Sequence, residues 1–264
     1  MTTLRKFLIA MLAAIAGAAD AAANFTDLWY NPAQSGWGVN VVHQGDTAFA
    51  TLFVYGPDRQ PTWYSASNLR VTSLTGSGLP NFEGGLYRTT GPWHGGPFDP
   101  ATVSFVRVGT LYIEGLAQDR LRVSYEVEGR TIASEVVRAT LAAPQPAFYY
   151  HATLALRESL PGGPIYGTAR YNADLTFALD GGTATLRVTD QHGRECTYAG
   201  AYSQAGRFSS VSGNFACAAF ASYPARSGTF SIDDMEFTVQ GITGVLRTEA
   251  ADRVENGRFA AARF

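Results

Sequence analysis

Lysine is all but missing: the only one in 264 residues is Lys6, and every basic side chain after it is arginine. With a formal net charge of −2 and no cluster of arginines, the chain lacks the polybasic surface that would hold nucleic acid or an anionic membrane. Long apolar runs are also missing. The longest, Phe7 to Ala19, falls short of the roughly 20 residues that a membrane-spanning helix needs. The common catalytic strings are absent: there is no G-x-S-x-G elbow, no H-E-x-x-H, no glycine-rich phosphate loop and no EF-hand ligand run. The four histidines, His43, His94, His151 and His192, show no metal-ligand spacing. No cofactor is predicted, and enzymatic chemistry is not the first expectation.

What is present begins with a leader. Arg5 and Lys6 precede the apolar run, and Ala19-Asp20-Ala21 forms an A-x-A cleavage site, so residues 1–23 read as a signal peptide. The protein is therefore predicted to be exported, to the periplasm or beyond the cell. Its two cysteines, Cys196 and Cys217, then meet an oxidising compartment, where an even count favours a disulfide; two free thiols are the alternative. The bridge would close a loop of about 22 residues and contribute roughly 3 kcal/mol by chain entropy. A hydrophobic content of 46% against 16% charged residues excludes a disordered chain.

The most patterned stretch runs from Leu28 to Ser67. Val39 to His43 and Phe49 to Tyr55 flank Gln44-Gly45-Asp46 as a hairpin, and Gly56-Pro57-Asp58 turns the chain into a third strand, Pro61 to Ser67. Phe49, Phe53 and Tyr55 lie on one face of the middle strand and Ala50, Leu52 and Val54 on the other, which predicts cover on both sides in a barrel or sandwich. The string Trp29 to Gly38, WYNPAQSGWG, followed by Gln44-Gly45-Asp46, Phe49-Ala50-Thr51 and Pro61-Thr62-Trp63-Tyr64, resembles a segment recurring in exported proteobacterial β-rich proteins of uncharacterised function. That resemblance covers Leu28 to Ser67 and grows looser over the later glycine-rich strands. It implies export and a β-rich fold, and no mechanism.

Further strands are expected at Val103 to Val108, Leu111 to Leu116, Leu121 to Val127 and Thr131 to Leu141. The segment 142–147, with Pro144 and Pro146, is the predicted linker. It divides an N-terminal β domain, 24–141, from a C-terminal β domain, 148–264, that carries the disulfide. A shift of 134 residues places Asp46, Ala50, Thr51, Leu52, Val54 and Tyr64 on Asp180, Ala184, Thr185, Leu186, Val188 and Tyr198, the pattern of a distant internal duplication. Gly129-Arg130 and Gly257-Arg258 are expected at matching hairpin turns, Asn256-Gly257 being a type I′ signal. The predicted class is all-β: an antiparallel meander forming two β-barrel or β-sandwich halves.

Candidate site residues fall in two loops. Trp29, Trp37 and Trp63 could offer an aromatic platform, with Asn31 and Gln34 hydrogen-bonding to a ligand; the alternative is that the tryptophans plug a barrel. The Gly91–Pro100 loop displays Trp93 and His94, either as ligand contacts or as a hydrophobic lid beside a solvated histidine. Asp233, Asp234 and Glu236 are oxygen ligands fit for Ca²⁺ or simply a wet strand end. The leading expectation is a non-enzymatic binding or surface-interaction protein using an aromatic loop or barrel mouth. Its partner would be a small ligand, a glycan or an envelope protein. A polysaccharide hydrolase drawing on Glu83, Asp99, Glu114 or Asp119, and a structural envelope module, are the alternatives.

Overall fold

Among the described residues sixteen strands follow from the alternation of the sequence, and they close into two separate barrels. A computed structural model describes residues 23–144, 146 and 149–263; the predicted signal peptide, 1–23, lies outside the described residues except for Ala23. The first barrel comprises β1 (Asp27–Tyr30), β2 (Gly38–Gln44), β3 (Thr47–Tyr55), β4 (Pro61–Leu74), β5 (Pro80–Thr90), β6 (Ser104–Ala117), β7 (Arg120–Val127) and β8 (Arg130–Arg138). The second comprises β9 (Tyr149–Ser159), β10 (Ile165–Asp180), β11 (Thr183–Asp190), β12 (Glu195–Ala205), β13 (Phe208–Cys217), β14 (Arg226–Phe237), β15 (Gly241–Ala250) and β16 (Val254–Arg263). Each is an eight-stranded antiparallel meander whose first and last strands pair. Closure leaves no free sheet edge among the described residues, the feature that most exposes a β protein to aggregation. Trp29 lies opposite Arg138 in the first barrel, and β9 runs beside β16 from Tyr150–Arg263 to Ser159–Val254 in the second.

Three local expectations change. The middle strand β3 is covered on one side only: Ala48, Ala50 and Leu52 are buried inside, whereas Phe49, Phe53 and Tyr55 lie on the exposed outer wall. Val103 to Val108 and Leu111 to Leu116 join in one strand, β6, because Gly109 is not a turn; a β-carbon there would come within 1.6 Å of the Glu126 carbonyl oxygen. Asn256-Gly257 likewise lies within β16. Gly257 is needed for close approach, since its β-carbon would stand 1.9 Å from the Ala155 oxygen. The chain turns instead between β15 and β16, at 251–253. Gly129, by contrast, sits in the turn between β7 and β8 with φ of 72°.

The two interiors differ. The first is filled by Phe25, Trp29, Leu52, Phe82, Leu86, Leu111, Ile113 and Leu121. Phe25 precedes β1 and enters the barrel, where its carbonyl accepts the Trp29 indole N–H at 2.9 Å. The second has a lighter lining: Ala152, Ala173, Ala184 and Ala261 are buried there, and glycines occupy inward positions, as where Gly200 pairs with Gly213. The register is shared nonetheless. Leu52 faces Tyr64 and Leu186 faces Tyr198, each pair on the third and fourth strands of its barrel.

The barrels meet at Arg138. Its guanidinium donates to Asp27 Oδ2 at 3.1 Å and to the carbonyls of Gln118 and Asn24 at 2.8 and 2.6 Å. It lies over the Trp29 ring of one barrel and the Phe208 ring of the other, at 4.4 and 5.0 Å. Gly206 N–H donates to Thr140 Oγ1 and Gln204 Nε2 to the Ala142 carbonyl, fastening the β12–β13 turn to the end of the first barrel.

Candidate functional site

The end of the second barrel remote from this junction is open. A floor of about 40 Å³ is lined by Ala152, Leu175, Leu186, Ile232 and Phe259 together with Leu154, Val188, Tyr198 and Leu246. Those last four residues also line a mouth of about 190 Å³, so floor and mouth share a neck. The neck follows from alternation: Leu154, Val188, Tyr198 and Leu246 take inward positions on β9, β11, β12 and β15.

Above the neck the lining becomes polar. Tyr198 stacks on Phe215, with ring centroids 5.5 Å apart, and meets Phe230 edge-on at 5.2 Å. Burial pushes its phenol far above the ordinary tyrosine range, with the Glu255 carboxylate adding to the shift. Tyr171 is raised the same way, by burial first and then by Glu255 and Glu158. Among the described residues neither hydroxyl has a hydrogen-bond partner, although both border the cavity.

Charged side chains form the rim. Glu255 accepts from Arg226 Nη1 at 2.6 Å and from Thr248 Oγ1 at 2.9 Å. Arg226 also reaches Asp252 at 3.2 Å, and Arg253 reaches Glu158 at 3.2 Å. Cys196 and Cys217 are direct cross-strand partners on β12 and β13 and form a disulfide in the wall of the mouth. Beyond it the 218–225 loop returns through the Phe220–Tyr223 bridge, placing Tyr223 beside the His192 ring at 6.1 Å.

No protein-family model and no curated protein matches the chain. The reading of the site therefore rests on its geometry.

Of the residues singled out from the sequence, the cysteines stand in the wall of this mouth and Asp233, Asp234 and Glu236 on β14 of the same barrel, whereas the aromatic-loop candidates lie in the first barrel. Trp29 is wholly buried in that core. Asn31 shapes the β1–β2 turn: its side-chain oxygen accepts the Ala33 N–H and its Nδ2 donates to Ser134 Oγ. Gln34 is exposed, its backbone N–H closing the turn onto the Asn31 carbonyl. Trp37 packs partly against the core and lines a shallow outer groove of about 390 Å³ with Tyr30 and Phe53. Trp63, 47% exposed, faces Phe53 across β3 and β4. Trp93, 79% exposed, and His94 stand on the long β5–β6 connection. The structure brings Trp37 and Trp63 to one outer wall through Phe53 and leaves Trp29 on the other side of that wall.

The carboxylates disperse as well. Glu114 is held by Arg122 at 2.9 Å, and Asp99 accepts the Ala101 N–H. Asp119 lines a cleft of about 400 Å³ between the barrels with Asp233, Asp234 and Arg138. Among the described residues no group of three or more His, Cys, Asp or Glu side chains is placed to hold a metal, and no helix is long and apolar enough to cross a membrane. Sequence reasoning missed Tyr171, Arg194, Tyr198, Arg226 and Glu255. Tyr198 carried the one available signal, as the counterpart of Tyr64 under the 134-residue shift.

Proposed function

We propose that the protein is an exported, non-enzymatic binding protein that holds a small ligand in the open mouth of its second barrel. The observation that carries this reading is the contrast between two barrels of one topology: the first has a filled core and the second keeps an apolar floor, a narrow neck and unpartnered phenols beneath a charged rim. Sites for small ligands combine an apolar wall with a few convergent polar groups, and barrel mouths are frequent places for them. The rim carboxylates and arginines engage one another, which favours a fixed binding surface over acid–base work. Export is supported by the signal-like leader and by a disulfide suited to an oxidising compartment. The shared register of Leu52–Tyr64 and Leu186–Tyr198 supports an origin by internal duplication, with one copy kept as a filled scaffold.

All four tryptophans precede residue 94 and lie in the first barrel, so their fluorescence is a poor reporter of the mouth. A neutral solvatochromic dye such as Nile red is the better probe. Wild-type protein is expected to bind it saturably, and Val188→Phe, which fills the neck, to weaken binding at least tenfold while keeping its circular dichroism. Equal binding by both would place the dye elsewhere and sink the reading.

A further inference from the structure

Arg194 decides what kind of ligand the mouth suits. Only 8% exposed, it lines the mouth from the start of β12. Its Nη2 donates to the Pro224 carbonyl at 2.8 Å and its Nε to the Ala218 carbonyl at 3.3 Å. The guanidinium lies 5.8 Å from the centroid of the Tyr223 ring. No ion pair involves it among the described residues, and its Nη1 has no acceptor. Burying a cation with neutral partners alone is costly unless an anion arrives to compensate. The other buried arginine, Arg138, has such a partner in Asp27.

The surrounding charges sharpen this. Glu255 is engaged by Arg226 and Thr248, and lies 3.5 Å from Arg253. The Oδ1 of Asp190 accepts the backbone N–H groups of His192 and Arg194. Arg226 and Arg253 are thus met by Glu255, Asp252 and Glu158, which leaves Arg194 as the guanidinium of the mouth with no carboxylate partner among the described residues. The two tyrosine hydroxyls supply donors between this cation and the apolar neck. In the first barrel the matching phenol is already satisfied, since Tyr64 Oη accepts from Arg88 at 3.3 Å.

Resting on the binding role argued above, we propose that the ligand is a small organic carboxylate with a short acyl or flat aromatic body. Its carboxylate sits on Arg194 and on the hydroxyls of Tyr171 and Tyr198, and its body fills the neck formed by Leu154, Val188 and Leu246. A charge-assisted bond from the open Nη1 to a carboxylate is of the stronger kind.

The test is isothermal titration calorimetry of the mature protein at low ionic strength and pH 7, with matched pairs: octanoate against octan-1-ol, and 3-phenylpropionate against 3-phenylpropan-1-ol. The acids are expected to bind at least tenfold more tightly than the alcohols. Arg194→Gln should reduce that preference to within about twofold. Tyr198→Phe, which keeps ring and packing, should weaken acid binding several-fold and covers the case in which Arg194→Gln fails to fold. Alcohols binding as tightly as acids to the wild type, with Tyr198→Phe unchanged, would overturn the head-group assignment while leaving a binding site in the mouth. No binding of either class, together with Nile red binding indifferent to Val188→Phe, would overturn the site itself.

Discussion

Arg138 shows how much one side chain can fix. Its head is almost fully buried and the partner Asp27 carboxylate nearly so. Burial lowers the guanidinium's proton affinity, and the hydrogen bond it donates to Asp27 opposes that loss. The pair is embedded in a set of backbone carbonyls from Asn24, Thr26 and Gln118, which leaves several acceptors orphaned if the arginine goes. Truncating one member of a buried pair typically costs about 3 to 5 kcal/mol because the other is left charged and unsolvated. Arg138→Ala is accordingly expected to lose about that much in urea denaturation, and Asp27→Asn less, since three carbonyls still receive the guanidinium. A loss below about 1 kcal/mol for Arg138→Ala would mean that water replaces the arginine and that the cluster is not an anchor.

At the level of elements, the glycines divide into two kinds that look alike in sequence. Gly129 has open space around it and a positive φ, so its reading as a turn holds. Gly257 and Gly109 belong inside strands, where a neighbouring backbone leaves no room for a β-carbon. Gly257→Ala is expected to push β16 away from β9 and to destabilise the second barrel by about 1 to 3 kcal/mol, the usual range for overpacking. Hydrogen exchange would show it as lost protection confined to β9 and β16; unchanged protection there would refute the close-approach argument. The same distinction sets what could be read beforehand. Alternation and turn residues made β2, β3, β4 and β7 legible, because those signals are local. The site was not legible: Tyr171, Arg194, Tyr198, Arg226 and Glu255 come from four strands or their ends, each ordinary in its own context. Only closure of the barrel places them round one opening, and closure depends on the pairing of β9 with β16, which no local pattern encodes. The aromatic density of Leu28 to Ser67 drew attention to the first barrel for a related reason: sequence does not say which tryptophan faces in.

For the whole molecule, the question is whether two closed barrels behave as one cooperative unit. Each has its own core, while the junction rests on Arg138, Gly206, Gln204 and a few neighbours. Interfaces of that kind couple domains weakly. The disulfide lies within the second barrel alone, joining Cys196 to Cys217 across a sequence separation of 21. Replacing both cysteines by alanine should remove roughly 3 kcal/mol by the loop-entropy relation, and the whole loss should fall on the second barrel. The tryptophans provide an independent reporter of the first. In the double variant the calorimetric trace is therefore expected to gain an earlier transition, while the midpoint followed by tryptophan fluorescence stays near that of the wild type. If both probes instead move together, the barrels unfold as a single two-state unit. Arg138 and the β12–β13 turn would then transmit stability across the junction, and a ligand in the second mouth would stiffen the first barrel as well.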